Sequence, residues 1–351
     1  MGALWHAYSG LGGELRTDSD VQNLLVEEGQ VTGVLFSRGG RSVVARARRG
    51  VVLATGGFSA NSELRKRFAP ELDANANHVR LTCESATGDG LEMAVEAGAA
   101  VFAELHQPMA WAPSSWVPHK GSSFPHFLER AKPGILMVNG QGRRFANEAM
   151  VYHDLVPAML DANLDIGDNR DFWIMADHKA QRRYGLGAAL PRPAMIFDAL
   201  RSGYLLKGHS IQELAQKMAV SPATLAQTVA RFNEFAARGI DVDFQRGTSP
   251  LDRAYGDPSN RPNPCLGALL KPPFYAVRVQ VGDLGSLVGL RTNAKAQVLD
   301  HKGKEIPGLF AVGLDAATAM GGRYPAAGVT VGAALTFGWI AAHHALGFAT
   351  E

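Results

Sequence analysis

The stretch GLDAATAMGGRYPAAGVTVGAALTFG, Gly313–Gly338, decides how this chain is read. A short apolar run, Leu309-Phe310-Ala311-Val312, stops on Gly313 as a strand does, and an apolar helix is expected from about Val329. Between them lie a glycine-rich turn and a loop carrying Tyr324. Pro325 biases Tyr324 toward extended backbone, and Gly328 opens the final helix. A phenol from Tyr324 and a backbone amide at Gly328, aimed at one oxygen, make an oxyanion-type clamp. The amides of Val329 and Thr330 face an anionic partner, and the helix dipole adds to the attraction. The arrangement suits a flat, polar, electron-accepting cofactor and a carbonyl substrate. The plainer alternative is a proline-containing helix start with a packed tyrosine.

Working outward, Val52-Leu53-Ala54-Thr55-Gly56-Gly57-Phe58 reads as a strand running into paired glycines, where the backbone can pass close to a ligand or simply turn. The lead-in from Arg48 through Ala54 has the continuous apolar character of a strand buried on both faces. Asn61–Phe68 is expected to be helical. Thr87-Gly88-Asp89-Gly90 precedes a helix expected over Leu91–Ala97, closing on Gly98, and offers a hydroxyl, free amides and a carboxylate. An ordinary helix cap explains the same residues. In Gly142-Arg143-Arg144-Phe145-Ala146-Asn147-Glu148, Arg144 and Glu148 are read as a structural pair. Tyr152 lies on the face of Glu148 if that segment is helical. No G-x-G-x-x-G fingerprint is present. In the best candidate, Gly10-Leu11-Gly12-Gly13, Leu15 stands where the last glycine belongs.

At 351 residues two domains are expected. A hydrophobic share of 46%, a charged share of 19% and a net charge of +2 describe a globular chain with no electrostatic argument for nucleic acid or a membrane surface. Cys83 and Cys265 have neither metal-ligand spacing nor a pairing framework, which fits a reducing, cytoplasmic setting. The run Gly328–Leu346 is broken by Thr330, Thr336, His343 and His344, and reads as a buried helix rather than a membrane span. Gly12–Thr17 looks like the lead into a strand, and Val31–Phe36 like a second strand joined to the first by a hairpin through Glu27–Gln30. Further helices are expected over Ile211–Met218 and Ser221–Ala237, the latter with a serine cap followed by Pro222. The glycine-rich α/β character of both ends flanks a middle richer in Pro, His and aromatics.

The order and spacing of these segments resemble the flavoproteins of the fumarate reductase and 3-ketosteroid dehydrogenase superfamily. The matching landmarks are Gly50–Phe58, Thr87–Gly90, Gly142–Glu148, Asp241–Gly247, Pro273–Val277, Gly282–Gly285 and Ile306–Gly313. Tyr152 stands where the fumarate reductase branch has its catalytic Arg, and Leu105–Pro108 lacks that branch's His-Pro-Thr. Tyr324-Pro325-Ala326-Ala327-Gly328 is similar to the Tyr-Pro-Gly-x-Gly of the ketosteroid branch, with Ala326 replacing its first Gly. The resemblance implies an α/β fold: a partial FAD-binding, glutathione-reductase-like Rossmann domain in two pieces, 1–112 and 289–351. An α+β substrate domain, 113–288, is inserted between them. It implies FAD as cofactor, a 3-oxosteroid or similar cyclic ketone as substrate, an electron acceptor that no residue names, and no metal. Carried over, Tyr324 and Gly328 polarise the ketone and Tyr152 is the base; the phenol that lowers its pKa in the family is expected to come from the front segment missing here. The cofactor residues implied are Val21, Ala54, Thr55, Gly56, Gly57, Asn61, Thr87, Gly88, Asp89, Gly90, Gly313, Asp315, Val329 and Thr330. Asp315 is expected to compensate in part for Leu314, where relatives carry Asn or Glu.

Without the family's front βαβ unit, the chain reads as N-terminally truncated. It is expected to expose a sheet edge and to self-associate. Two further readings stay open: a non-catalytic remnant needing a partner chain to bind FAD, and a fumarate reductase-like flavin reductase. Tyr152 argues against the second.

Overall fold

Ile135–Asn139, Phe172–Ala176 and Phe274–Val279 are short apolar runs, and the computed structural model, which describes residues 2–72, 78–162 and 171–347, pairs them in one antiparallel sheet, with Ile135–Asn139 at one edge. Leu205–Gly208 completes it at the other edge. The register stacks Met137 on Ile174, Ile174 on Val277 and Val277 on Leu205. Alternation sends the side chains to two cores. Ile135, Met137, Ile174 and Val277 enter the large core, while Leu136, Val138, Met175 and Ala276 meet Leu225, Val229 and Phe232 of the helix Pro222–Arg238. That helix forms as expected: Ser221 accepts the Thr224 N–H, Pro222 takes a first-turn position and Gly239 ends it at φ 74.

The front of the chain builds an antiparallel sheet from Asp20–Glu27, Gln30–Arg38 and Arg41–Arg46, with the predicted hairpin at Glu28-Gly29. The first strand starts at Asp20, so Gly12–Thr17 is irregular rather than extended, and Gly2–Gly10 is a helix with no buried residue. Val51–Leu53 lies parallel to Glu305–Ala311, pairing Leu309 with Val51 and Ala311 with Leu53, and Gln297–Leu299 flanks the other side. Both strand ends therefore deliver their turns to one edge of the sheet.

Two burial expectations fail here. Leu53 is buried but Val52 is 44% exposed. The final helix, Val329–Ala345, touches the sheet through Phe337 and Ala345 against Phe310 and Val312, and its only fully buried residue is Ala341. Val331, Leu335 and Trp339 are half exposed or more. Apolarity identified a helix that packs, yet no described element covers its outer face. No helix among the described residues is long and apolar enough to cross a membrane.

Candidate active site

Gly56 and Gly57 follow the strand Val51–Leu53 at φ 97 and φ 72, a left-handed pair that aims successive amides to one side. A Cβ at Gly57 would stand 2.3 Å from Ser286 Oγ. The Asp315 carboxylate fills the concave side: it accepts the Thr55 N–H, the Thr55 hydroxyl at 2.8 Å and the Gly57 N–H at 3.3 Å. Asp315 is fully buried, and burial pushes its carboxyl up against the opposing pull of those bonds. The carboxylate expected to compensate in part for Leu314 is thus turned toward the Thr55–Gly57 amides.

The helix Asp89–Glu96 starts beside this turn, two residues earlier than expected. Gly88, at φ 88, donates its N–H to the Gly57 carbonyl at 3.0 Å. A Cβ at Gly90 would lie 2.6 Å from Thr55 Oγ1. Asn61 caps the helix Ser62–Phe68 and donates Nδ2 to the Thr87 carbonyl at 2.9 Å. Thr87 does not cap; its hydroxyl donates to Asp89 at 2.6 Å, leaving the helix start without a side-chain cap. Thus Ala54–Gly57, Asn61, Thr87–Gly90 and Gly313–Asp315 are assembled at one place. Val21 lies on the strand Asp20–Glu27 opposite Phe36, partly exposed.

A cavity of about 340 Å³ adjoins this assembly, lined by Gly313, Val329, Thr330, Ser286, Arg291 and Asn293 among others. The final helix opens on it with Gly328 at φ 88 and no side-chain cap, so its first amides remain available to a ligand.

Behind the cavity wall lie the two tyrosines. Leu287 and Val329 line the cavity and also pack in the cluster holding Tyr152 and Tyr324. Both tyrosines are buried, with ring centroids 5.6 Å apart, and neither lines the cavity. Phe127 packs on Tyr152 at 4.6 Å, and His153 stacks on Tyr324 at 5.7 Å. The Tyr324 hydroxyl lies 3.5 Å from Thr330 Oγ1 and also acts on the Tyr152 phenol. Burial, then Tyr324, push the Tyr152 phenol well above its ordinary 10. Tyr324 is not the phenol expected to lower that pKa, and its own effect runs upward. Sequence reasoning also missed Phe127 and His153; only the adjacency of His153 to Tyr152 hinted at the latter.

Tyr152 begins the helix Tyr152–Ala162, and the residues before it form a turn, so Glu148 and Tyr152 do not share a helix face. Glu148 instead anchors a buried ionic clasp. Arg144 meets Glu148 at 2.8 Å and Asp241 at 2.7 Å, and Arg246 meets Glu148 at 3.1 Å. Burial favours protonated Glu148, but Arg144 and Arg246 outweigh it and hold the carboxyl below its usual range. Arg246 also donates to the carbonyls of Ile135, Arg130 and Lys132. Arg130, brought down to about 10 chiefly by burial, donates to the carbonyls of His126, Glu148 and Met150. The clasp fixes the stem on which Tyr152 stands.

The family described as FAD binding domain matches residues 1–331, and the chain belongs to that family. It is 38% identical over 317 residues to the 4-oxocyclohex-2-ene-1-carboxylate 5-dehydrogenase of Sinomonas cyclohexanicum, a match covering 89% of this chain and 53% of that one. It is 37% identical over 338 residues to the 3-oxosteroid 1-dehydrogenase of Mycobacterium tuberculosis (strain ATCC 25618 / H37Rv), covering 92% of this chain and 58% of that one. Among solved structures, the 3-ketosteroid delta1-dehydrogenase of Sterolibacterium denitrificans in complex with 1,4-androstadiene-3,17-dione superposes with a TM-score of 0.89 at 35% identity, over 98% of this chain and 62% of that one. The chain thus spans little more than half the length of the curated relatives it matches. FAD is the cofactor of the family. Two features here fit it: the uncapped helix start at Gly328, and Gly56, where a Cβ would meet open space.

Proposed function

We propose that the chain forms the substrate side and part of the cofactor side of an FAD-dependent dehydrogenase that desaturates a 3-oxosteroid or similar cyclic ketone beside its carbonyl. In this reading residues 1–112 and 289–351 are two pieces of the cofactor domain, and 113–288 is the inserted substrate domain. The observation that carries it is the tyrosine pair, packed against Leu287, Val329 and Thr330, which line a cavity at an uncapped helix start. Bound FAD supplies the hydride acceptor. Thr55–Gly57, Asn61, Thr87–Gly90, Gly313 and the amides of Val329 and Thr330 hold it, with Val21, Ala54 and Asp315 at the margin. Tyr324 O–H and the Gly328 N–H hold the ketone oxygen, stabilising enolate charge and so acidifying the neighbouring C–H. Tyr152 takes that proton. In the packing described Tyr152 keeps its own proton, partly through Tyr324. A ketone oxygen that draws the Tyr324 hydroxyl away removes that contribution. The two free cysteines, Cys83 exposed and Cys265 buried, go with a reducing compartment.

The test is an absorbance spectrum of the chain after incubation with FAD and desalting, followed by dye reduction with a 3-oxosteroid. Retained flavin and activity falling by about 10²-fold or more in both Tyr152→Phe and Tyr324→Phe are expected. Unchanged activity in either variant overturns the assignment. A second reading, in which a partner polypeptide completes the FAD site, is favoured by the exposed face of Val331, Leu335 and Trp339. It predicts that flavin is lost on desalting.

A further inference from the structure

We infer that His153 is a positioning residue that fixes Tyr324, acting through a single neutral tautomer; this rests on the ketone-clamp reading above only for its effect on rate. His153 is the second residue of the helix Tyr152–Ala162 and is 1% exposed. The Trp111 backbone N–H points at Nδ1, 3.1 Å away. A peptide N–H has only a proton to give, so Nδ1 must be bare and the ring proton sits on Nε2. That Nε2 is buried and makes no hydrogen bond. The Gly322 carbonyl, in the loop that leads to Tyr324, is the backbone group that acts on it.

The ring lies 27° from the plane of Tyr324 with centroids 5.7 Å apart, and the Tyr152 ring, 5.6 Å away and tilted by 57°, is the other aromatic neighbour of that phenol among the described residues. Trp111 links the two ends of the device. Its amide sets the His153 tautomer, and its indole N–H donates to Gln107 Oε1 at 2.9 Å. A Cβ at Gly322 would stand 2.6 Å from the amide nitrogens of both His106 and Gln107, and His106 donates its own N–H to the Gly321 carbonyl at 3.0 Å. The loop bearing Tyr324 is therefore pressed onto the same segment that Trp111 holds. His153 contributes a neutral face to the phenol and turns an unbonded N–H toward the influence of the Gly322 backbone. A cationic ring could not do this: it would carry a second N–H directed at the Trp111 amide. Burial disfavours that form, Asp154 and the Gly322 backbone favour it and His106 disfavours it; Tyr324 is the titratable ring stacked on it and Tyr152 its chain neighbour.

The test uses the full chain labelled with nitrogen-15 histidine, with the Tyr324 ring signals assigned through Tyr324→Phe. One imidazole, missing in His153→Asn, should show the Nε2–H tautomer throughout about pH 6 to 8. His153→Asn keeps an acceptor for the Trp111 amide but loses the ring; His153→Phe keeps a ring but no nitrogen. Each should move the Tyr324 ring signals. Each should also slow solvent-deuterium exchange at the α-carbon of a 3-oxosteroid by about tenfold or more, with the ketone concentration dependence unchanged. If His153→Phe fails to fold, His153→Asn decides alone. An Nδ1–H tautomer, or Tyr324 signals that stay in place in the folded variants, overturns the inference. Shifted Tyr324 signals with no exchange even in the unmodified chain sink the proposed reaction and leave the positioning role standing.

Discussion

The central sheet and the flank formed by Val52 and the final helix are built from similar residues and end in opposite states. Every residue of Ile135–Asn139 and Phe172–Ala176 is buried, because the sheet is covered on one face by Leu225, Val229 and Phe232 and on the other by the large core. Val51–Leu53 and the final helix are as apolar, yet Val52 is 44% and Trp339 57% exposed. Hydrophobicity states that a segment gains by being covered; whether it is covered depends on which other segments are at hand. The first region is complete within this chain. The second presents the glycine turns and the cavity with one apolar flank open. The tyrosine pair sits where the two meet.

Glu148→Ala should break the contrast most strongly. It leaves Arg144 and Arg246 buried without their shared carboxylate, and a loss of about 3–5 kcal/mol in urea unfolding is expected. A loss below about 1 kcal/mol would show that the clasp is ornamental to the central region.

Acid separates the regions next. Glu148 and Asp241 are held below their ordinary 4.5 and 3.8, so their contribution is present above those values and is lost as pH falls through the folded ones. Asp315 has the opposite sign. Its folded pKa is raised, so its ionised form costs stability above that pKa, and the cost is relieved as pH falls. Thermal melts from about pH 3 to pH 7 should therefore show Glu148→Gln losing, and Asp315→Asn increasing, the net decline of stability in acid. Identical slopes in both variants would contradict these signs.

The smallest stability effect belongs to the open flank. Trp339→Ser should stay within about 0.5 kcal/mol of the unmodified chain, but it should reduce self-association in light scattering. A chain that is monomeric at every concentration would remove the basis of that comparison.

Local chemistry made much of the fold legible. Ser221, Pro222 and Gly239 bracket a helix whatever surrounds it, and Gly29 suits the hairpin turn, although Glu28 is carried into positive φ with it. The segments gathered around Gly57 were legible too, since glycines crowded by Ser286 or Thr55 must stay glycines. What escaped depended on distant partners. The Arg144–Glu148 pair was legible, but a turn separates Glu148 from Tyr152, and Arg246 joins Glu148 from far along the chain. Phe127 and His153 carry no pattern of their own; they matter because folding sets them against the two tyrosine rings. Asp315 was legible as a group near the turn, but its direction followed from which amides were closest.

That direction makes the turn at Thr55–Gly57 a competitive site. A carboxylate tethered on the adjoining strand end acts at an effective concentration of about millimolar or more. A free anion must bind the bare turn more tightly than that threshold before it can displace Asp315. Small abundant ions are screened out by this requirement. A larger ligand already held at the final helix start brings its own polar groups in at a comparable local concentration, and can exchange with the resident carboxylate on equal terms.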